Sequence, residues 1–412
     1  MIKIKNNITE TILLIGLLLI LFYSTDPVIY PDTNRYLSQN LYDPPLYSVM
    51  IYLLKSTFGN LNSVIIFQSF IIVIGIIYFL KTVTFHFELS LGVKFIVALF
   101  LFVPILQFYR NLLPEPMGYA LSLFFISFAI KLIYKFNYLN LIYITIFVIL
   151  LLLARNQFIF LYPLILFFFS CILFLNSSKK KLILLILSFF SVIIFTSALI
   201  NLNKNINKKP TKNSIVADDK SIFFFTYIDA IYISTSKDVN LFENQKIRNA
   251  LTNILGEMEN KKKLMKYYNN RGHYSLSFKE IRNYSRDVLE DLALDENINI
   301  NNLKKEISIK LITANFKKYI KHIFKKFYDS TWLFVFIPFF MMLASLSRFT
   351  KYKSKYSLVI LFLSVFTLTN HSIIYLFGRV QPRYFIYTDF ILLIFVFITF
   401  VIFFKKEKII FN

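Results

Sequence analysis

Cysteine occurs once among 412 residues, so no disulfide forms within the chain and no cysteine-based metal site can be built. That one residue, Cys171, sits inside an apolar run and reads as a small packing side chain. Histidine is scarce too, with four copies. His273 and His322 have no partner at zinc-ligand spacing, and His371, near the end of an apolar run, reads as a hydrogen-bonded packing residue. Acids are few: 23 Asp and Glu against 46 Lys and Arg give a formal charge of +23. Nucleic-acid binders gather such charge on one solvated face. Here much of it sits in short clusters between apolar runs, which argues against a nucleic-acid partner. There is no internal repeat and no low-complexity tract. After Tyr23 the chain reads Ser24-Thr25-Asp26-Pro27, without a small-x-small cleavage pattern, so the N-terminal apolar stretch is expected to stay as a signal-anchor helix.

What is abundant is apolar and aromatic. The chain is 57% hydrophobic and 18% aromatic, Phe alone occurs 49 times, and the mean hydropathy is +0.59. Soluble domains hold about 45–50% apolar residues. The excess is arranged in runs, such as Phe95 to Pro104 and Phe385 to Phe404, that approach the length needed to cross about 30 Å of hydrocarbon. In lipid the backbone must satisfy its own hydrogen bonds, so the runs are read as helices. The expected fold is an all-α polytopic membrane protein of about ten spans: 8–24, 61–80, 91–112, 117–134, 138–153, 158–175, 182–200, 332–346, 357–377 and 385–404.

Charge orients these spans. With the N-terminus inside, the inside loops hold Lys3 and Lys5; Lys81 and Lys94; Lys131 and Lys135; Lys179, Lys180 and Lys181; Arg348, Lys351, Lys353 and Lys355; and Lys405, Lys406 and Lys408. The short outside loops carry only scattered arginines. This is the positive-inside pattern, and it predicts a plasma (bacterial inner) membrane protein with both termini cytoplasmic. Three regions follow: a seven-helix module at 1–200 with a first outside loop at about 25–60, an extracytoplasmic domain at 201–330, and a three-helix module at 331–412. The middle region turns rich in Asn, Lys, Asp and Glu and is expected to be mainly helical, for instance over Asn244 to Tyr268. Its end, Asn302 to Tyr328, spaces Ile307, Leu311, Ile312, Phe316, Ile320, Ile323, Phe324 and Phe327 as one amphipathic helix between lysines.

Since outside charge is sparse, each ionisable residue there is informative. The first loop reads Tyr30-Pro31-Asp32-Thr33-Asn34-Arg35-Tyr36-Leu37, then Asp43-Pro44-Pro45-Leu46-Tyr47 and a stretch suited to a helix along the membrane. The loop at Leu113-Pro114-Glu115-Pro116 follows Arg110, and its two prolines are expected to hold Glu115 in a fixed, non-helical position. Asp32 also stands where a helix N-cap would, Asp43 where a turn residue would, and Tyr36 and Tyr47 where interfacial aromatics would. Arg35 and Arg383 have the alternative of snorkelling to headgroups.

These motifs, in this order, resemble the GT-C superfamily of membrane glycosyltransferases, in particular the protein mannosyltransferases that use dolichyl-phosphate-mannose and the aminoarabinose lipid A transferases. The resemblance rests on the aspartate in Pro31-Asp32-x-x-x-Tyr36, the Pro44-Pro45-Leu46-Tyr47 helix, Glu115 between spans three and four, the Arg155-Asn156-Gln157 turn, the Arg379 to Tyr384 segment, and a large domain after the seventh span. It implies inverting transfer of a sugar from a polyprenyl-phosphate donor to an acceptor hydroxyl on a lipid, glycan or protein. An acceptor hydroxyl needs a carboxylate to take its proton, and Asp32 is the candidate base with Glu115 as the second acidic site. The departing lipid phosphate needs guanidinium donors, for which Arg35, Arg110, Arg155, Arg379 and Arg383 are candidates, while Tyr36, Asp43 and Tyr47 line the substrate loop. Some families carry paired acids or a metal-binding motif in the first loop. Asp32 has no adjacent acid, which counts against a divalent metal. A repeat-unit polymerase would instead place its key residues in the large loop. A flippase or transporter would place acids or broken helices at mid-membrane, with internal pseudo-symmetry.

Overall fold

A computed structural model of the chain describes residue 16 and residues 26–30, 32–38, 43–175, 178–206, 223–262, 276–377, 385 and 387–410. It is all-α, about 86% helical. In chain order the helices are α1 (Thr33–Leu37), α2 (Pro45–Phe58), α3 (Asn62–Phe87), α4 (Leu91–Phe102), α5 (Glu115–Tyr134), α6 (Tyr138–Ala154), α7 (Leu161–Leu175), α8 (Lys179–Ile206), α9 (Phe223–Ile233), α10 (Gln245–Lys262), α11 (Leu276–Asp295), α12 (Ile300–Ala314), α13 (Phe316–Tyr352), α14 (Lys355–Phe377) and α15 (Asp389–Ile410). Among the described residues five helical stretches are long and apolar enough to cross a membrane: Asn62–Phe87, Glu115–Tyr134, Asn156–Leu175, Lys179–Ile206 and Lys355–Leu376. Three more, at Leu91–Gln107, Tyr138–Ala154 and Asp389–Ile402, are apolar and shorter. The expected first span, 8–24, lies outside the described residues apart from Gly16.

The chain divides into two compact units. One comprises Met1–Lys208, Ile337–Asn370 and Phe385–Asn412; the other comprises Lys209–Phe336 and His371–Tyr384.

In the first unit α5 is the most enclosed of the long helices and α8 the least. α5 packs between α3 and α6, and α6 packs on α8. Gly75 permits the close crossing of α3 and α5, since a Cβ there would stand 3.2 Å from the Ala120 carbonyl oxygen. Aromatic rings in edge-on and tilted contact fill the interior, with Phe125 against Phe362 and Phe366, and Phe168 against Phe362. The expected span 91–112 stops early: at Pro104, which lacks an N–H and crowds the preceding turn, α4 passes into a 3-10 turn, Val103–Gln107. The chain then bends, and Asn111 pairs with Val28 in an isolated parallel bridge.

The second unit packs α9 on α12 and α10 on α11 around Ile228, Leu251, Ile254, Leu289, Ile307 and Leu311. The expected single amphipathic helix over 302–328 is broken. Asn315 caps the end of α12, its amide 3.3 Å from the Leu311 carbonyl, and α13 starts afresh at Phe316. The expected apolar stripe is buried only in part: Ile307, Leu311 and Ile323 are buried, whereas Phe316 and Phe324 are exposed.

Candidate functional site

The site in the first unit is assembled from separate stretches of chain. The bridge at Val28 and Asn111 joins the first two: Val28 N–H donates to the Arg110 carbonyl at 2.9 Å and Leu112 N–H to the Val28 carbonyl at 3.1 Å. Arg110 Nε donates to the Asp26 carbonyl at 2.9 Å, and the Thr33 hydroxyl donates to the Leu112 carbonyl at 3.2 Å. Tyr47 then donates its phenol to Gln68 Oε1 at 2.7 Å, while Gln68 Nε2 donates to the Tyr109 carbonyl at 3.0 Å. The first loop is thus tied to the 109–112 bend at both ends. Arg110 contributes its Nε to this tie.

Arg35 and Asp43 lock the loop internally. Arg35 Nη2 donates to both Asp43 oxygens, at 2.6 Å to Oδ1 and 2.5 Å to Oδ2, and the Asp43 side chain is 4% exposed. Asp43, at the bend before α2, is therefore a buried ion-pair partner. Burial raises its carboxyl pKa, against the pull of Arg35 and, more weakly, Arg155. Tyr36 and Tyr47 are buried, their rings edge-on with centroids 5.4 Å apart, so neither sits as an interfacial aromatic. Burial pushes both phenols well above their usual range. Arg155, Asp43, Glu115 and Arg35 all lie close enough to act electrostatically on the Tyr36 phenol.

Glu115 differs from its expected setting. It opens α5 as a helical residue, because Pro116 is tolerated in a first turn where its missing N–H would go unbonded anyway. Its side chain is 2% exposed and lies 2.7 Å from Arg155 Nη1. Arg155 stands in extended backbone between α6 and the 3-10 turn Asn156–Phe160, and Nη1 also donates to the Tyr387 hydroxyl at 3.2 Å.

Asp32 contrasts with these buried acids. It precedes α1 but makes no capping hydrogen bond to it, and its side chain is 46% exposed. Its carboxylate lies 4.0 Å from Arg35 Nη1. The structure thus gathers Asp32, Arg35, Tyr36, Asp43, Tyr47, Glu115 and Arg155 into one neighbourhood, with Asp32 the accessible acid of that group. Arg379 and Arg383 lie outside the described residues. Among the described residues no three or more His, Cys, Asp or Glu side chains gather as metal ligands.

Tyr387 and Gln68 were not singled out from the sequence. Gln68 carried a weak signal, a lone amide within an apolar run, and such groups find partners. Tyr387 carried none, being one of 26 tyrosines in an aromatic-rich chain. Neither a protein-family model nor any curated protein matches the chain.

Proposed function

We propose that the chain is a glycosyltransferase that moves a sugar from a polyprenyl-phosphate donor to an acceptor hydroxyl on the outer face of the membrane. In this reading it has about ten spans, both termini are cytoplasmic, and the fold is GT-C-like. The observation that supports it best is the meeting of one accessible carboxylate, Asp32, with a buried acid–base cluster that contains Arg155.

The chemistry follows from the charges. As the acceptor oxygen attacks the anomeric carbon, its proton passes to Asp32. The bond from that carbon to the phosphate oxygen breaks, and the carrier phosphate departs with the electron pair. Arg35 and Arg155 supply fixed positive charge near the developing anion, where a preorganised donor costs no reorganisation. Their carboxylate partners Asp43 and Glu115 hold the guanidiniums in place while the site is empty. A lipid carrier also accounts for building such a site on membrane helices, because its tail stays in the bilayer.

The test is transfer from a fluorescent polyprenyl-phosphate sugar in proteoliposomes. Asp32→Asn is isosteric and lacks the proton acceptor, so it is expected to lose transfer by about 100-fold or more with insertion unchanged. Transfer at the wild-type rate would remove Asp32 as the base.

A further inference from the structure

A ladder of polar side chains runs beside this site, and no step of the proposed transfer uses it. Gln157 Nε2 donates to Asn370 Oδ1 at 2.7 Å, and Asn370 Nδ2 donates to Thr388 Oγ1 at 3.1 Å. Thr388 Oγ1 in turn lies 3.0 Å from Asp389 Oδ1. Asn370, Thr388 and Asp389 are all buried. The Thr388 hydroxyl donates to Asp389, and its longer contact, 3.2 Å to the Phe385 carbonyl, is the weaker one. Each donor then points the same way along the chain of bonds, towards Asp389. Such a chain polarises its members and sets the amide orientations of Asn370 and Gln157.

An acid at the first residue of α15 is explained in part by the helix dipole. That does not account for the ladder, which leads from the helix end to the turn that carries Arg155. The ladder ends on Gln157, two residues beyond Arg155. Tyr387, the neighbour of Thr388, meets Arg155 directly through its hydroxyl. Residues 387–389 thus grip the 155–157 turn at two points.

We propose that Asp389 is a positioning residue, which through Thr388, Asn370 and Gln157 holds the 155–157 turn so that Arg155 is aimed at the phosphate of the lipid carrier. The proposal rests on the glycosyl-transfer reading, and its test separates the two. The probe is polyprenyl monophosphate without sugar, titrated against the full-length protein in nanodiscs, with neutral polyprenol as the control. Asp389→Asn and Thr388→Val are each expected to weaken phosphate binding about tenfold, and Thr388→Ser to keep it. In an Arg155→Gln background Asp389→Asn is expected to cause no further loss, because Asp389 acts through that arginine. A purely structural role would lower thermal stability and leave the affinity of the folded protein unchanged; that result overturns the proposal, as do losses that add in the Arg155→Gln background. Should Asp389→Asn fail to fold, the Thr388→Val and Thr388→Ser pair decides. Binding that requires Arg155 but ignores Thr388 and Asp389 sinks the positioning role alone. A wild type that prefers phosphate no more than neutral polyprenol sinks the carrier reading with it.

Discussion

Replacing Glu115 by glutamine removes the carboxylate that holds Arg155 at 2.7 Å, with side-chain exposures of 2% and 15%. Losing one partner of a buried ion pair costs about 3–5 kcal/mol, because the other charge is left without compensation. Two features reduce that figure here. Arg155 keeps some solvent and the Tyr387 hydroxyl, and the new amide oxygen still accepts a hydrogen bond from the guanidinium, of about 1.5 kcal/mol. The net expectation is about 2–3 kcal/mol. A kcal/mol moves the melting point by about 2–4 °C in chains of 150–250 residues and less in longer ones, so the shift is roughly 5 °C. Arg155→Gln removes a cationic partner of the more deeply buried Glu115 and is expected to cost at least as much. The double variant, now a neutral amide pair, loses less than either single change. Cys171 supplies the assay, being the only thiol in the chain and buried in the same unit. A thiol-reactive dye labels it only as that unit opens. Single variants melting within about 1 °C of wild type, or losses that simply add, would refute the coupling.

Two further outcomes follow from the same packing. A Cβ at Gly118 would stand 3.1 Å from both the Phe158 and Tyr387 rings, so Gly118→Ala is expected to cost about 1–3 kcal/mol in the thiol-labelling melt, and an unchanged melt would contradict the packing. In the second unit, His322 Nε2 lies 3.1 Å from Asp229 Oδ1, and Lys326 pairs with Asp229 Oδ2. Burial lowers the His322 pKa from 6.5, so the folded unit refuses a proton that the opened chain accepts. Burial alone would raise the Asp229 pKa, but Lys326 and His322 outweigh it and hold it at about 2, below the ordinary 3.8. Both groups therefore cost stability on acidification, His322 first as the pH falls below about 6.5 and Asp229 later, from about 3.8 towards 2. Hydrogen exchange in Phe223–Ile233, corrected for intrinsic rate, is expected to speed by up to about tenfold per pH unit below 6.5, and His322→Gln to flatten this; opening independent of pH between 7 and 5 would refute it.

Much of this organisation is legible in the sequence because it follows from local solvation. An apolar run has one backbone solution in lipid, so 117–134 and 357–377 stand close to α5 and α14. Asp32, Asp43, Glu115 and Arg155 are conspicuous because charge is rare in their surroundings. What is not legible depends on partners far apart in the chain. Nothing near His322 announces Asp229, which lies 93 residues away, and nothing near Gln157 announces Asn370. Glu115 was misplaced for a local reason: the prolines around it read as helix breakers, but at the opening of a helix a proline breaks no bond. The amphipathic stripe through 302–328 misled because spacing is blind to a break. Asn315 satisfies the end of α12 with its own side chain, and beyond it Ile323 is buried while Phe316, Ile320 and Phe324 are exposed.

Transfer of the proposed kind requires the carrier phosphate and Asp32 to share one place. The direct measurement is photo-cross-linking with a polyprenyl-phosphate sugar that carries a diazirine beside its phosphate, followed by peptide mapping. Adducts on residues 32–47, 115–119 and 155–157, reduced by Arg155→Gln, are the predicted result. Adducts confined to residues 223–314, or to α8, with none around Asp32, would contradict it.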